Sequence, residues 1–415
     1  MVGMSVLTTA VFVAGEMAGS GVLALPESVV GTGWIGVVLI VFCCVNAGYC
    51  GVILGRCWVM LEERWEEYQE KIRYPYAAIG LRASGRFMRV AVSFCVNFTL
   101  FGVATVFLLL SSQMIASLAE KAGIYFCYWV LILGAILCPL MWLGTPNDFW
   151  PVAVGALATT MIACFLLFIN ILTDKTTEKD LIYPTPSLKS FFLSFATILF
   201  SFGGASSFPT IQNDMKDRTK FPIAVTIAFI VLLVLYLPVA STGYAVYGSN
   251  VKSNILLSVT PGPIRTTIEV FLALHLFFAF LIVVNPTCQE LEEMCHVPHR
   301  FSWKRCLLRS AMMVAILFVA ESVPHFGKIL NLIGGSTITM MTFVFPPMFY
   351  MLLCHQKQPH WPERTVPLHQ KVYFAEIMMI GLIGGVISTY SALQDIFDPS
   401  SFSPPCYINI AGQDV

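Results

Sequence analysis

With 415 residues, 57% of them hydrophobic and only 12% charged, the chain is far more apolar than a soluble protein, in which about 25% of residues are charged. Lys plus Arg and Asp plus Glu each number 24, so the net charge is zero and nothing points to nucleic acid as a partner. The apolar residues gather in runs of about 20 between short polar segments, the pattern of a helical protein that crosses a lipid bilayer many times.

Eleven spans are predicted, at 7–31, 34–60, 87–118, 128–144, 149–172, 188–210, 222–247, 265–287, 306–323, 327–354 and 370–393. No basic residue precedes the first run, which argues against a cleaved signal peptide. Placing the N-terminus in the cytoplasm puts seventeen of the 24 basic residues on that side, including Arg56, Arg73, Arg89, Lys216, Arg305 and Lys371. Seven remain opposite: Lys121, Lys175, Lys179, Lys189, Lys252, Arg265 and Lys328. The positive-inside bias therefore predicts a cytoplasmic N-terminus and an extracellular or luminal C-terminus. The membrane itself (plasma, vesicular or lysosomal) is left open.

The first run contains Gly15-Glu16-Met17-Ala18-Gly19-Ser20-Gly21 and then Val22-Leu23-Ala24-Leu25-Pro26. Glycine lets a backbone unwind and a ligand approach it, and open backbone at membrane depth is tolerated only where it is buried or lines a cavity. A broken helix also leaves free N–H groups that suit a carboxylate. The stretch reads as half of a solute site. Gly15-x-x-x-Gly19 also suits close helix packing, the structural alternative.

Between the second and third spans, Glu62–Arg86 carries both signs of charge and reads as a solvated cytoplasmic loop with some surface helix. The third span holds the chain's sole Asn-x-Ser/Thr sequon, Asn97-Phe98-Thr99, so a modified loop asparagine is not expected. The sixth span repeats the pattern of the first in Ser201-Phe202-Gly203-Gly204-Ala205-Ser206-Ser207-Phe208-Pro209. Interrupted helices at matching places in two halves point to a midplane site in an inverted-repeat transporter. The division predicts a single transporter domain over 1–415. It has one five-helix repeat at 7–172, a second at 188–354, an eleventh helix at 370–393 and a non-cytoplasmic tail at 394–415, of which Asp398–Pro405 reads as disordered.

The thirteen cysteines are scattered, with no Cys-x-x-Cys pair. Cys127 and Cys406 fall on the non-cytoplasmic side, where a disulfide is open to them, but pairing is not legible in one sequence and free thiols are the favoured reading. Cys295-His296-Val297-Pro298-His299 has metal-ligating side chains, yet it lacks a second cysteine pair and carries a proline, so no metal site is expected.

Along most of its length the chain resembles the amino acid/auxin permeases, in particular their vesicular and proton-coupled branches. Gly19-Ser20-Gly21-Val22-Leu23-Ala24-Leu25-Pro26 with Gly33-Trp34 resembles the first-helix signature, and Tyr74-Pro75-Tyr76 with Gly80 the motif before the third helix. The most specific block runs from Phe202-Gly203-Gly204 through Phe208-Pro209-Thr210-Ile211-Gln212-Asn213-Asp214-Met215-Lys216 to Phe221. Tyr236-Leu237-Pro238, Gly243-Tyr244, Tyr247-Gly248, Asn285-Pro286 with Gln289 and Glu290, and Val323-Pro324-His325-Phe326-Gly327 continue it. The resemblance implies an all-α polytopic protein of the LeuT type, ten helices in two inverted repeats plus one, that transports amino acids.

On that reading the substrate residues are Gly19, Ser20 and Gly21 with Ser201, Phe202, Gly203, Gly204 and Ser206. N–H groups of the first break would hold the substrate carboxylate, and carbonyls near Ser201–Gly203 its amino group. No intramembrane Lys or Arg is available for an acidic side chain, so a small or medium neutral amino acid is expected. Glu16 is the candidate coupling residue, since a carboxyl in an apolar run is costly and functional by default and burial favours its protonated form. Its alternative is a hydrogen bond across helices. Relatives with an asparagine near this point leave the ion open. His275 titrates in a range suited to protons or is simply satisfied by a neighbour. Phe271–Val284 has no Ser or Thr for a sodium ion, which favours H+, while Thr287 keeps Na+ as the alternative. Glu269, Glu321, Glu376 and Asp148 read as interfacial.

No cofactor is expected, and protein partners are not indicated. An enzyme would need a hydrolase elbow, a phosphate loop or a His-Glu-x-x-His helix, and the chain has none. A sensor that binds an amino acid without moving it is the remaining rival.

Overall fold

The computed structural model describes residues 3–70, 72–142, 150–174, 181–297, 301–398 and 404–409, with 150–154 as backbone alone. Those residues form an all-helical protein. The first apolar run is two helices, α1 (Val6–Met17) and α2 (Ser20–Thr32), bent by 57° at Ala18-Gly19. Ser5 caps α1 by accepting from the Thr8 N–H, whereas Gly19 offers α2 no side-chain cap. Gly33, at φ +66°, makes the tight turn into α3 (Ile35–Arg64), in a region of backbone space that favours glycine. Then follow α4 (Pro75–Ser84), α5 (Arg86–Leu118), α6 (Phe126–Trp142) and α7 (Trp150–Thr173).

The second half opens on another broken helix, α8 (Leu188–Ser201) and α9 (Phe208–Asn213), with residues 202–207 outside either. Ser187 and Ser190 form a capping box at the start of α8. After it come α10 (Phe221–Tyr247), α11 (Pro263–Met294), α12 (Trp303–Ser322), α13 (Phe326–Ile333), α14 (Phe345–His355) and α15 (Leu368–Phe397). Two π-helical stretches, Gly334–Ile338 and Met340–Val344, join α13 to α14.

Seven of the described helical segments are long and apolar enough to cross a membrane, and the bent α1–α2 pair makes an eighth. The α6 and α8 helices are apolar but shorter. Phe87, Val90, Phe94 and Phe98 share one exposed stripe on α5, at the spacing of a helix face turned to lipid. Val92, Ala104 and Leu108 of the same helix are buried in the bundle. Small residues let the helices close up: a methyl on Gly335 would lie 2.7 Å from the Ser388 Cβ of α15.

Several expectations change. The polar connection before the third span is not simply a solvated loop, because Pro75–Gly80 of α4 is buried and the Tyr76 hydroxyl donates to the Met341 carbonyl at 2.6 Å. Helix α11 continues seven residues past the predicted end at 287, so Thr287 is buried inside the helix rather than at its mouth. Glu269 and Glu321 are buried within the protein, and Glu269 is held by Arg265 at 2.8 Å. Glu376 is exposed on α15, while Asp148 lies outside the described residues.

Cys127 and Cys406 are joined in a disulfide across 279 residues of sequence, contrary to the favoured free thiols. It ties the residues after 403 to the start of α6, and the Cys406 N–H donates to the Glu321 carbonyl at 2.8 Å. Of the tail expected to be disordered, 399–403 lies outside the described residues. So do Pro298 and His299 of the candidate metal segment, whose Cys295 and His296 are exposed.

Candidate functional site

The two breaks face each other. A methyl group on Gly21 would lie 2.8 Å from the Cα of Ser201, and one on Gly204 would lie 2.6 Å from the Met17 sulfur. Only glycine at these positions lets α2 approach the end of α8 so closely. Between them is a cavity of about 40 Å³ lined by Glu16, Met17 and Ser20 from the first break and Gly203, Gly204 and Ser206 from the second. Thr99, Leu100, Val103 and Phe107 of α5, Phe200, Val283 and Ile338 complete the wall.

Tyr236 of α10 supports the first break, its hydroxyl donating to the Met17 carbonyl at 2.8 Å. Thr99 and Thr337 share a buried 2.6 Å hydrogen bond that fixes α5 to the π-helical stretch behind the cavity. The Ser201 hydroxyl is occupied locally, donating to the Thr197 carbonyl at 2.9 Å. The Phe202 ring turns away from the cavity and packs on Tyr236 and Phe229, with ring centroids 5.7 and 6.3 Å away.

Glu16 stands where three spaces meet. It lines the 40 Å³ cavity, a second of about 30 Å³ that it shares with His275, Ala156 and Val283, and a third of about 460 Å³. Its Oε2 is buried without a hydrogen-bond partner. His275 is buried, with Nδ1 3.4 Å from the Thr160 hydroxyl and Nε2 close to Gly19, where an added methyl would lie 2.9 Å from it. Thr287 lines none of the three.

The 460 Å³ vestibule runs from Glu16, Ser206 and Ser207 to exposed Arg73, Thr210 and Pro286. Its α11 wall, Ile282, Val283, Pro286, Gln289 and Glu290, is one helical stripe. Glu290 accepts from the Asn97 amide at 2.6 Å and from the Ser93 hydroxyl. Arg73 pairs with Glu293, which also accepts from the Tyr74 hydroxyl at 2.9 Å. Burial, and then the Glu293 carboxylate, push the Tyr74 phenol above its ordinary range, so it stays a donor.

The opposite end is knit together by side-chain contacts. Trp34, Tyr183 and Tyr244 form an aromatic cluster with centroids 5.0 to 6.4 Å apart. Gln113 accepts from Asn254 at 3.0 Å, and Arg265 joins Glu269, Ser117 and the Val259 carbonyl.

Of the expected site residues, Glu16, Ser20, Gly203, Gly204 and Ser206 share one cavity, Gly19 and His275 meet beside it, and Gly21 meets Ser201 behind it. The Phe202 ring and Thr287 lie elsewhere. The sequence reading passed over Thr99, Phe107, Tyr236, Ser207 and the Asn97–Glu290 pair. A hydroxyl or amide inside an apolar span was the available signal for Asn97 and Thr99.

The family of transmembrane amino acid transporter proteins matches residues 3–392. The amino acid transporter AVT1C of Arabidopsis thaliana is 23% identical over 392 residues, covering 92% of this chain and 68% of its own. AVT1J of the same plant is 24% identical over 401 residues, covering 92% and 89%. Among solved structures, a manganese transporter of Eremococcus coleocola superposes with TM-score 0.59 at 13% identity, over 95% of this chain and 88% of its own. MhsT in complex with L-phenylalanine does so with TM-score 0.57 at 12% identity, over 94% and 100%. These two likenesses are of fold.

Proposed function

Since the chain belongs to the transmembrane amino acid transporter family, the amino acid/auxin permeases that its motifs resemble, we propose that it carries small or medium neutral amino acids across a membrane in company with protons. It works by alternating access around the two breaks. The meeting of those breaks at one cavity, with Gly21 against Ser201, carries the reading. The substrate carboxylate takes the uncapped N–H groups at Gly19–Gly21, which begin α2 and its favourable dipole. The amino group takes carbonyls of the 201–203 turn. Ser20, Gly203, Gly204 and Ser206 leave little bulk beside the substrate.

In this reading the chain has eleven spans. Repeats at 7–172 and 188–354 and an added helix at 370–393 form the LeuT-type arrangement, with the tail 394–415 beyond. The N-terminus and the α11 end of the vestibule are cytoplasmic, so the protein stands open inward. The Cys127–Cys406 disulfide supports this orientation, because disulfides persist in oxidising compartments. Glu16 carries the coupling proton: it touches both the substrate cavity and the vestibule, so a proton bound there senses both. His275 assists across the smaller cavity. Sodium coupling through Thr287 has less support, since that hydroxyl is remote from the cavities.

Uptake of labelled neutral amino acids into proteoliposomes under a pH gradient alone or a sodium gradient alone tests this. Accumulation with the pH gradient, lost in Glu16→Gln, is the expected result. Accumulation with sodium alone overturns the coupling, and binding without accumulation under either gradient favours a sensor.

A further inference from the structure

The vestibule has a one-sided charge. Three carboxyl-bearing side chains line it, Glu16, Asp214 and Glu290, against a single guanidinium, that of Arg73, which Glu293 holds. Glu290 is fixed at the mouth by two neutral donors. The Asn97 amide reaches one oxygen at 2.6 Å and the Ser93 hydroxyl the other. Both donors sit on α5 one turn apart, and the Asn97 amide also donates to the Ser93 carbonyl at 2.8 Å, so the cradle is rigid. No Lys or Arg forms an ion pair with Glu290 among the described residues. The two donors orient this carboxyl group without bringing a cation to it.

Position gives that charge a use. Glu290 lies seven residues beyond Val283, which borders the substrate cavity, so it stands about 10 Å farther along α11 at 1.5 Å per residue. It stands on the wall of the vestibule that an amino acid would cross. Low-dielectric walls focus such a field.

We propose that Glu290 is a charge filter at the vestibule mouth, which meets the ammonium group of neutral and cationic amino acids and turns acidic side chains away. This deepens the transport reading and rests on it. Ser93 and Asn97 are positioning residues that keep the carboxylate pointed into the passage.

The test is counterflow in proteoliposomes of the full chain: labelled leucine exchanging with internal leucine, competed by leucine, lysine or glutamate. In Glu290→Gln, loss of one unit of charge at this partly solvated site makes lysine a weaker competitor and glutamate a stronger one, each by on the order of tenfold. Glu290→Asp retains the wild-type order. Asn97→Ala, which frees the carboxylate, moves the same way by less and serves if Glu290→Gln fails to fold. An unchanged ranking in Glu290→Gln, or in Asn97→Ala where it stands in, overturns the filter. If wild type shows no counterflow, the transport reading fails, and the melting-temperature shifts given by the three ligands then read the filter. Lysine and leucine stabilise wild type more than glutamate does, and the gap closes in Glu290→Gln. A gap that persists, or never exists, overturns the proposal.

Discussion

Gly21 of α2 and Ser201 of α8 stand so close that a methyl group on the glycine would lie 2.8 Å from the Cα, Cβ and Oγ of the serine. Two of those atoms belong to a side chain that is itself tied to its own helix, and the third is backbone. Neither broken helix can yield without moving the other.

Gly21→Ala is therefore expected to lose transport and to destabilise the fold by about 1–3 kcal/mol, the usual cost of overpacking. Gly262→Ala is the control, since a methyl there meets nothing within 4 Å. Thermal melting in detergent beside uptake checks both, and equal behaviour of the two variants contradicts the close approach.

A buried cluster at the C-terminal end of α11 predicts an asymmetry. Glu292 accepts from Arg309 at 2.5 Å and lies 3.2 Å from Arg305, with Glu292 and Arg309 both buried. Glu292→Ala leaves two guanidinium groups facing one another and should cost on the order of 3–5 kcal/mol. Arg309→Ala leaves Glu292 with Arg305 and should cost less. The yields of folded protein and the melting temperatures of the two variants decide it.

The disulfide makes a prediction about sidedness. In sealed cells or vesicles, a membrane-impermeant maleimide applied from the non-cytoplasmic side should label Cys127 and Cys406 only after a reductant is added. The Cys127→Ser, Cys406→Ser double variant should lose that signal and melt earlier. Labelling from the cytoplasmic side alone would reverse the orientation.

His325, just before α13, gives a pH dependence with a definite sign. Burial and then the Lys328 charge lower its pKa below the ordinary 6.5, with Asp395 pulling the other way. The unfolded chain therefore binds the proton at higher pH than the folded one, and stability rises with pH across the interval. The contribution is whole above pH 6.5 and is lost as pH falls below it. Melting temperature from pH 7.5 down to about 5 should decline, and His325→Gln should flatten part of that decline.

Hydropathy located the seven long apolar segments among the described residues because lipid imposes one rule on every span. The third was expected at 87–118 and runs from Arg86 to Leu118. Both breaks were legible too, since Gly19, Gly21, Gly203 and Gly204 are poor residues for an unbroken helix. What stayed hidden depends on neighbours. The charges of 62–73 masked the burial of α4, which owes its cover to α5 and α14. The eighth span was expected to end at 287, yet α11 runs on to Met294. Asn97 and Glu290 were each visible, 193 residues apart, but their contact exists only in the folded bundle.

The first residues ahead of α1 form a short parallel bridge to the segment after α9: the Met4 N–H donates to the Asp214 carbonyl at 2.9 Å, and the Lys216 N–H to the Met4 carbonyl at 3.0 Å. Those two strands of chain lead directly into the two broken helices. The bridge ties the chain entering the first broken helix to the chain leaving the second through main-chain bonds, without side chains as intermediaries.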